Sequence, residues 1–224
     1  MSVEKNYEDL KAFSVSNGAS ILGVADLRKL KEDFSNLPNE VIKKLDYGIS
    51  IGFRLSDSII EGITDRPTQI YFHHYKQVNY FLDRLALQVT AFIQKLGYQA
   101  LPVPASQVID REKQIGHLSH KEVAIQAGLG WLGRNNLVVN PEFGARIRFV
   151  TVLADLPLKV DKPLSMDCGR CKKCLSICPV DAIKEKAEDF DHLVCYRQLE
   201  LFRRTCNIGH HICGICVKAC KPDR

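Results

Sequence analysis

Long apolar runs are missing from this chain: none approaches the roughly 20 residues needed to span a bilayer. Internal repeats and low-complexity tracts are missing too. The opening residues, Met1 to Leu10, are polar and acidic, unlike a signal peptide, a twin-arginine leader or a transit peptide. These absences predict a soluble, cytoplasmic protein with no membrane partner. Strong charge of either sign is also lacking. With 31 Lys and Arg against 26 Asp and Glu, the net charge is +5, too mild alone to argue for nucleic acid. What remains is ordinary globular composition, 46% hydrophobic and 25% charged over 224 residues. That is enough for one large domain, or a domain plus a small module.

Cysteine is the residue in excess, and all 9 copies fall between Cys168 and Cys220. The run opens Cys168-Gly-Arg-Cys171-Lys-Lys-Cys174-Leu-Ser-Ile-Cys178-Pro179, which reads C-x2-C-x2-C-x3-C-P. Three sulfurs at two-residue gaps can wrap one corner of a cubane, while the fourth points to a second cluster. Cys195, Cys206, Cys213, Cys216 and Cys220 follow. Eight ligands suffice for two [4Fe–4S] clusters. Crossover ligation groups Cys168, Cys171 and Cys174 with Cys220, and Cys178 with Cys213, Cys216 and either Cys195 or Cys206. Cys195 is preferred, because it stands in a helix-like segment suited to a buried ligand. Zinc ribbons also use C-x2-C pairs, but not this overlapping triple. Disulfides conflict with a chain lacking a secretory leader. Pro179 suits the first position of a helix continuing through Ile183. Basic residues gather here, among them Arg170, Lys172, Lys173, Lys218 and Arg224. They read as a docking face for an acidic electron donor.

Upstream, strands alternate with helices, predicting an α/β or α+β body. Helices are expected over residues 3–17, after Asn36-Leu-Pro-Asn-Glu40, and over about 68–96. In the last of these Val78, Phe81, Leu85, Val89, Phe92 and Leu96 recur at helical spacing, and Gly97 closes it. Strands are expected at Ile21–Ala25, Tyr47–Leu55, Tyr98–Val103 and Arg146–Leu153. Ser119 and Glu122 form a capping box for one more helix. Gly128-Leu-Gly-Trp-Leu-Gly133 matches G-x-G-x-x-G, but a helix precedes it and an apolar segment follows, the reverse of a dinucleotide site. Its glycines instead suit close packing against a flat ligand or another element. Asp155 downstream does not repair that context. Residues 159–166, with Pro163, read as the linker between a body over 1–160 and a cluster module over 161–224.

Ala127-Gly-Leu-Gly-Trp-Leu-Gly-Arg-Asn-Asn-Leu137, Asn140-Pro-Glu-Phe-Gly144, the strand ending Asp155-Leu-Pro-Leu158 and the double-cluster motif together resemble the epoxyqueuosine reductases. A more distant likeness is to the reductive dehalogenases, and short relatives without C-terminal helical repeats look closer still. The resemblance implies a nitroreductase-like, cobalamin-binding-type body followed by a bacterial ferredoxin-like double-cluster module. It also supports Cys195 and Cys220 as ligands. By the same comparison Gly128, Gly130, Gly133, Arg134, Asn135, Asn136 and Asn140 would lie against the corrinoid. The expected partners are a low-potential donor of ferredoxin or flavodoxin type and a small-molecule or nucleoside-like substrate.

The chain departs from that family in three ways. Pro104 stands where the reductases carry a proton-donating aspartate, and Asp110 is the nearest acid. The helical repeats that grip tRNA are not in the sequence, and neither is a twin-arginine leader. The first two departures weigh against a tRNA epoxide substrate, the third against membrane-associated respiration. Candidate proton donors are Asp110, His117, His120 and Tyr71. His73 and His74 are adjacent on a helix, diverge by about 100°, and cannot chelate together. Two other functions stay open: an electron-transfer protein without a corrinoid, and a reductase with another flat cofactor such as flavin.

Overall fold

A computed structural model describes residues 2–28, 30, 34, 37–110 and 114–221. The chain divides into two compact units, and each draws on separate stretches of sequence. The first comprises Met1–Phe53, Asn79–Leu129 and Arg148–Leu164; the second comprises Arg54–Val78, Gly130–Ile147 and Ser165–Arg224.

The first unit is built on a four-stranded sheet. Its strands are β1 (Ile21–Asp26), β2 (Tyr47–Arg54), β3 (Ala100–Val103) and, after a two-stranded hairpin described below, β6 (Ile147–Ala154). The order is β1-β2-β6-β3. β1 runs antiparallel to β2, pairing Val24 with Ile49, and β3 runs antiparallel to β6, pairing Pro102 with Val152. Pro102 has no N–H to give a ladder and sits on an edge strand, where that loss is tolerated. In β6 every residue from Phe149 to Ala154 is buried. Successive side chains face opposite sides of a strand, so both faces of this central strand are covered.

Helix α1 (Val3–Ser16) is capped by Ser2, whose hydroxyl accepts from the Lys5 N–H, and it buries Tyr7, Leu10 and Ser14 on one face. The short helix α2 (Asn39–Ile42) follows the turn-rich segment; Asn36 in that turn lies outside the described residues. Helix α4 (Gln69–Lys95) contributes its residues from Asn79 onward to this unit. Its buried stripe is Leu82, Leu85, Ala86, Val89 and Ile93. Phe81 and Phe92, expected in that stripe, lie at its margins and stack on Phe53 and Phe13. Gly97, at φ +86°, ends the helix. α5 (His120–Gln126) starts at Ser119, whose hydroxyl accepts from the Glu122 N–H.

The stretch read as a linker is in part tied down. Asp161 takes the outward-facing hydrogen bonds of edge strand β1: its N–H donates to Val24 O at 2.9 Å, and its carboxylate accepts from the Val24 N–H at 2.9 Å. The same carboxylate accepts from the Tyr7 hydroxyl at 3.0 Å. Burial and that acid hold the Tyr7 phenol well above its usual pKa. At Val24 the open edge of β1 is therefore blocked to another strand.

The second unit contains α3 (Asp57–Glu61), the start of α4, the hairpin β4 (Trp131–Leu132) and β5 (Val138–Val139), α6 (His192–Thr205) and α7 (Ile215–Ala219). Helix α3 had no sequence signal strong enough to announce it, since five residues are too few for a periodic pattern. The helix expected after Pro179 does not form. Residues 179–184 run as a turn and extended chain, with Asp181 at φ +51° and its N–H bonded to Cys178 O. Among the described residues, no helix is long and apolar enough to cross a membrane.

Asp161→Ala removes two acceptor contacts that close the sheet edge. It is expected to lower stability by about 1.5–3 kcal/mol, the range for hydrogen bonds to a charged group, measured as a shift in the urea midpoint. Tyr7→Phe, losing one of the two, should cost less.

Candidate metal centre

The second unit gathers cysteines from three stretches of chain. Cys168, Cys171, Cys174 and Cys178 lie on loops and turns, Cys195 on α6, Cys213 just before α7, Cys216 within it and Cys220 at its end. None is in a disulfide. One cavity, about 410 Å³ including its mouth, is walled by Cys178, Cys195, Cys213 and Cys216 together. Asn135 and apolar side chains such as Ile183 and Phe190 complete the lining. Burial pushes the Cys213 thiol up to about 12, with Cys195, Cys178 and Cys206 nearby adding to the rise. Burial likewise carries Cys216 well up, and Cys213, Cys195, Cys174 and Cys178 reinforce it.

The remaining sulfurs form a second neighbourhood. Burial raises Cys220 to about 11, and Cys174, Cys168 and Cys171 are the thiols that add to it. Cys174 is raised by burial and by Cys168 and Cys171, while the Arg134 charge pulls it down. The thiols that act on one another thus fall mainly into two neighbourhoods, one around Cys220 with Cys168, Cys171 and Cys174, the other around Cys213 and Cys216 with Cys178 and Cys195, and Cys174 acts on both. Cys206, intermediate in exposure at the end of α6, adds to the rise of Cys213. Among the described residues, no three His, Cys, Asp or Glu side chains close on one metal-ion position. A single zinc ion needs every sulfur at about 2.3 Å, whereas a cubane takes one thiolate at each of four iron corners and so accepts a wider set. The donor set is all sulfur, with Cys174 buried, Cys171 exposed and the others intermediate, and its chemistry fits two such clusters.

Two arginines hold these loops. Arg134 donates to three carbonyls: Glu185 O at 2.5 Å, Cys171 O at 2.7 Å and Gly169 O at 2.9 Å. Arg146 donates to Asp57 and Glu61, both at 2.8 Å, and to Lys218 O on α7 at 2.6 Å. Trp131 Nε1 approaches Cys168 Sγ at 3.5 Å. At Gly144, φ is +61° and an added Cβ would lie 2.1 Å from Cys220 O. The turn therefore runs directly against the cysteine-bearing backbone.

The residues expected to touch a corrinoid are used within the chain. A Cβ on Gly128 would meet Lys162 O at 2.5 Å, on Gly130 Val139 O at 2.4 Å, and on Gly133 the Val139 side chain at 2.5 Å. Asn136 closes the hairpin turn, its N–H donating to Gly133 O at 2.9 Å. Asn140 Oδ1 accepts from the N–H groups of Glu142 and Phe143. Arg134 is committed to the loop carbonyls. Contacts of the chain with itself involve all of these residues, except that Asn135 Nδ2 has no hydrogen-bond partner among the described residues. Asp155, in place for a false dinucleotide match, accepts instead from the Gln99 N–H at 2.7 Å.

The candidate proton donors are not brought together as a site. His120 has both ring nitrogens occupied. Nε2–H donates to Pro104 O at 2.9 Å, so Nδ1 accepts from the Thr151 hydroxyl at 2.8 Å. Burial lowers its pKa to about 4. It is a neutral strut between α5, β6 and the segment after β3. His117 Nε2 lies 3.2 Å from Gln107 Oε1. Asp110 forms a backbone bridge with Ile115; Arg111 and Lys113, its expected partners, lie outside the described residues. Tyr71 is buried against Gly214. His74 Nε2 accepts from the Ser56 N–H at 3.0 Å, a packing role. The basic face is thinner than its residue list: Lys172 pairs with Glu185, Lys221 with Glu61, and Lys218 Nζ donates to Glu61 O and Ile63 O. Arg224 lies outside the described residues. Sequence reasoning missed Arg146, which a lone arginine at a strand start did not signal.

Two outcomes follow. The unfolded chain protonates His120 near pH 6.5 and the folded chain only near 4. Its contribution is complete above pH 6.5 and declines as pH falls toward 4. His120→Gln should flatten that part of the stability–pH curve measured by urea titration. Gly144→Ala forces a side chain into a left-handed position against Cys220 O, and should cost at least about 1 kcal/mol by the same measurement.

No family model matches the chain. An epoxyqueuosine reductase of Vibrio cholerae is 30% identical over 173 residues, covering 70% of this chain and 44% of that protein. One from Cyclobacterium marinum is 25% identical over 251 aligned positions, covering 100% of this chain and 81% of that protein. The chain thus spans under half of the first relative's length. Among solved structures, a catabolic reductive dehalogenase in complex with 3-bromo-4-hydroxybenzoic acid superposes with TM-score 0.76 at 20% identity, over 98% of this chain and 32% of that one. A reductive dehalogenase described as B12-dependent gives 0.69 at 21% identity, over 82% of this chain and 26% of its own. An epoxyqueuosine reductase with an epoxyqueuosine-modified tRNA stem loop gives 0.55 at 20% identity, over 78% of this chain and 52% of its own. In sequence over its full length this chain is similar to the epoxyqueuosine reductases, and its mixed α/β body shares the fold of the reductive dehalogenase.

Proposed function

We propose that this chain is an iron–sulfur oxidoreductase of the epoxyqueuosine reductase type, with residues 161–224 supplying the cysteines for two [4Fe–4S] clusters. Cys168, Cys171, Cys174 and Cys220 hold one; Cys178, Cys195, Cys213 and Cys216 hold the other. The observation that carries this reading is the cavity walled by four cysteines from three separate stretches, in agreement with the crossover spacing of the motif. When bound, such clusters supply one-electron transfer at low potential, about −400 mV in ferredoxins. The chain's own residues do the rest. Arg134 holds the first cysteine loop through its carbonyls, and its charge favours the thiolate of Cys174. Apolar side chains such as Ile183 and Phe190 exclude water from the second set.

Electrons come, in this reading, from a donor of ferredoxin or flavodoxin type, and the substrate is a small or nucleoside-like molecule. The corrinoid-dependent form of the proposal draws on the likeness to the B12-dependent dehalogenase, and tRNA as substrate on the likeness to the reductase solved with a stem loop. A second reading, an electron carrier without a corrinoid, is favoured by the internal contacts that occupy Arg134, Asn140 and the three glycines.

Anaerobic reconstitution is expected to load eight iron and eight sulfide per chain, the content of two cubanes. Cys216→Ser should lose about half of that load, and Cys206→Ser should lose none. Retention of full load by Cys216→Ser overturns the ligation. Titration of the loaded protein with cob(II)alamin, followed by EPR, separates the two functional forms. A protein-bound cobalt signal at stoichiometric levels supports the corrinoid enzyme, and an unchanged free-cobalamin spectrum supports the carrier.

A further inference from the structure

A hydrogen-bond donor is left over in the wall of the cysteine cavity. Asn135 is 4% exposed, and its Oδ1 accepts from the Leu137 N–H at 3.4 Å. That contact fixes which way round the amide sits, so the other end of the side chain is Nδ2. Nδ2 is buried and has no hydrogen-bond partner among the described residues. Leaving a buried amide donor unmatched costs about 1–3 kcal/mol, and folded proteins rarely tolerate it without reason. The reason here lies in what Asn135 borders. It lines the same cavity as Cys178, Cys195, Cys213 and Cys216. The other walls are mostly apolar, Val180, Ile183, Phe190 and Leu199 among them. Buried water needs two to four polar partners, and apart from the sulfurs this lining offers few. Gln198 is the other polar side chain in the lining, and no hydrogen bond joins it to Asn135 Nδ2, which leaves the four sulfurs as the main acceptors at hand.

The position is built by the hairpin. Asn135 lies in the turn between β4 and β5, where Gly133 N–H donates to Leu137 O and Asn136 adopts a left-handed backbone at φ +57°. Gly133 leaves room for the amide: a Cβ there would be 2.7 Å from Asn135 Oδ1. The side chain is held by the Leu137 N–H, and the residue shares its cavity wall with the sulfur set.

We propose that Asn135 Nδ2–H donates a hydrogen bond to a sulfur of the cluster held by Cys178, Cys195, Cys213 and Cys216, and so raises the reduction potential of that cluster above its value without the bond. This rests on the ligation proposed above. Taking up one electron from the low-potential donor adds one negative charge to the cluster. A fixed N–H dipole directed at sulfur stabilises the reduced form more than the oxidised form. Asn135 is a positioning and tuning residue, and it reassigns to the cluster a side chain first expected to face a corrinoid.

The test compares potentials in fully loaded protein. Wild type, Asn135→Leu and Asn135→Asp are reconstituted, their iron and sulfide counted, and each couple titrated anaerobically with EPR detection. The couple of the second set is identified as the one altered in Cys213→Ser. Asn135→Leu removes the donor without adding charge, and Asn135→Asp keeps the Leu137 contact while losing the donor. In both, the reduction constant of the second-set couple should fall, by up to about tenfold in Asn135→Leu, which is ~59 mV for one electron. The other couple should move little. Two loaded clusters with unchanged potentials in Asn135→Leu overturn the proposal and leave the ligation intact. Failure of wild type to load a second cluster overturns the ligation itself. If neither variant loads, pulsed EPR of reduced wild type, labelled at the asparagine side-chain amide nitrogen, decides. A hyperfine coupling to that nitrogen supports the bond, and its absence from a well-resolved spectrum overturns it.

Discussion

The guanidinium of Arg146 is the fixed point of the cysteine-bearing unit. Its side chain is 3% exposed, and it reaches Asp57, Glu61 and the Lys218 carbonyl at once. One charge therefore joins α3 to α7, the helix that carries Cys216 and leads into Cys220. Desolvating a guanidinium is expensive, and the cost is met only when every strong acceptor is in place. Its two carboxylate partners are 40% and 46% exposed, so solvent screens each pair and their attraction is modest. The value of the arrangement lies in geometry more than in net energy. Lys218 repeats it from the other side, donating to Glu61 O and Ile63 O. Together they hold a five-residue helix, too short to persist on its own.

The same economy governs the thiols. Burial drives Cys213, Cys216 and Cys220 toward their protonated forms, and a metal must displace those protons to bind. A site of this kind is unfavourable to form as free thiolates, so an iron–sulfur cluster bound there would couple its binding to folding of the cysteine loops. Arg134 works against the burial cost at Cys174 while fastening Gly169, Cys171 and Glu185 by their carbonyls. Its charge and its hydrogen bonds serve the same loop.

Much of the first unit was legible in the sequence. The Ser2 and Ser119 caps, the apolar runs of β1, β2 and β6 and the periodicity of α4 act through local backbone and burial rules that operate within a few residues. The misses share a cause. The expected helix after Pro179 yields to a turn because the chain must present Cys178, and Phe81 and Phe92 leave the core stripe because aromatic partners, Phe53 and Phe13, take them up. The surroundings of His120, a candidate proton donor in the sequence, could not be read there. Only the folded chain brings Pro104 O and Thr151 to its two nitrogens.

The cysteine spacing by itself pointed to two sulfur sets of four and left Cys195 or Cys206 open as the eighth member, because the gaps limit which sulfurs reach a common point. The four strands of the sheet, and the helices long enough to show a period, were determined in the same local way. The tertiary structure alone decided what surrounds those sulfurs: the buried Arg146, the half-exposed Arg134, the turn at Gly144 and the unmatched amide of Asn135. Asn135 lies more than 40 positions before Cys178 in the chain, and no local pattern links them. Burial and hydrogen-bond satisfaction depend on which distant segments meet, and that is set by packing of the whole unit.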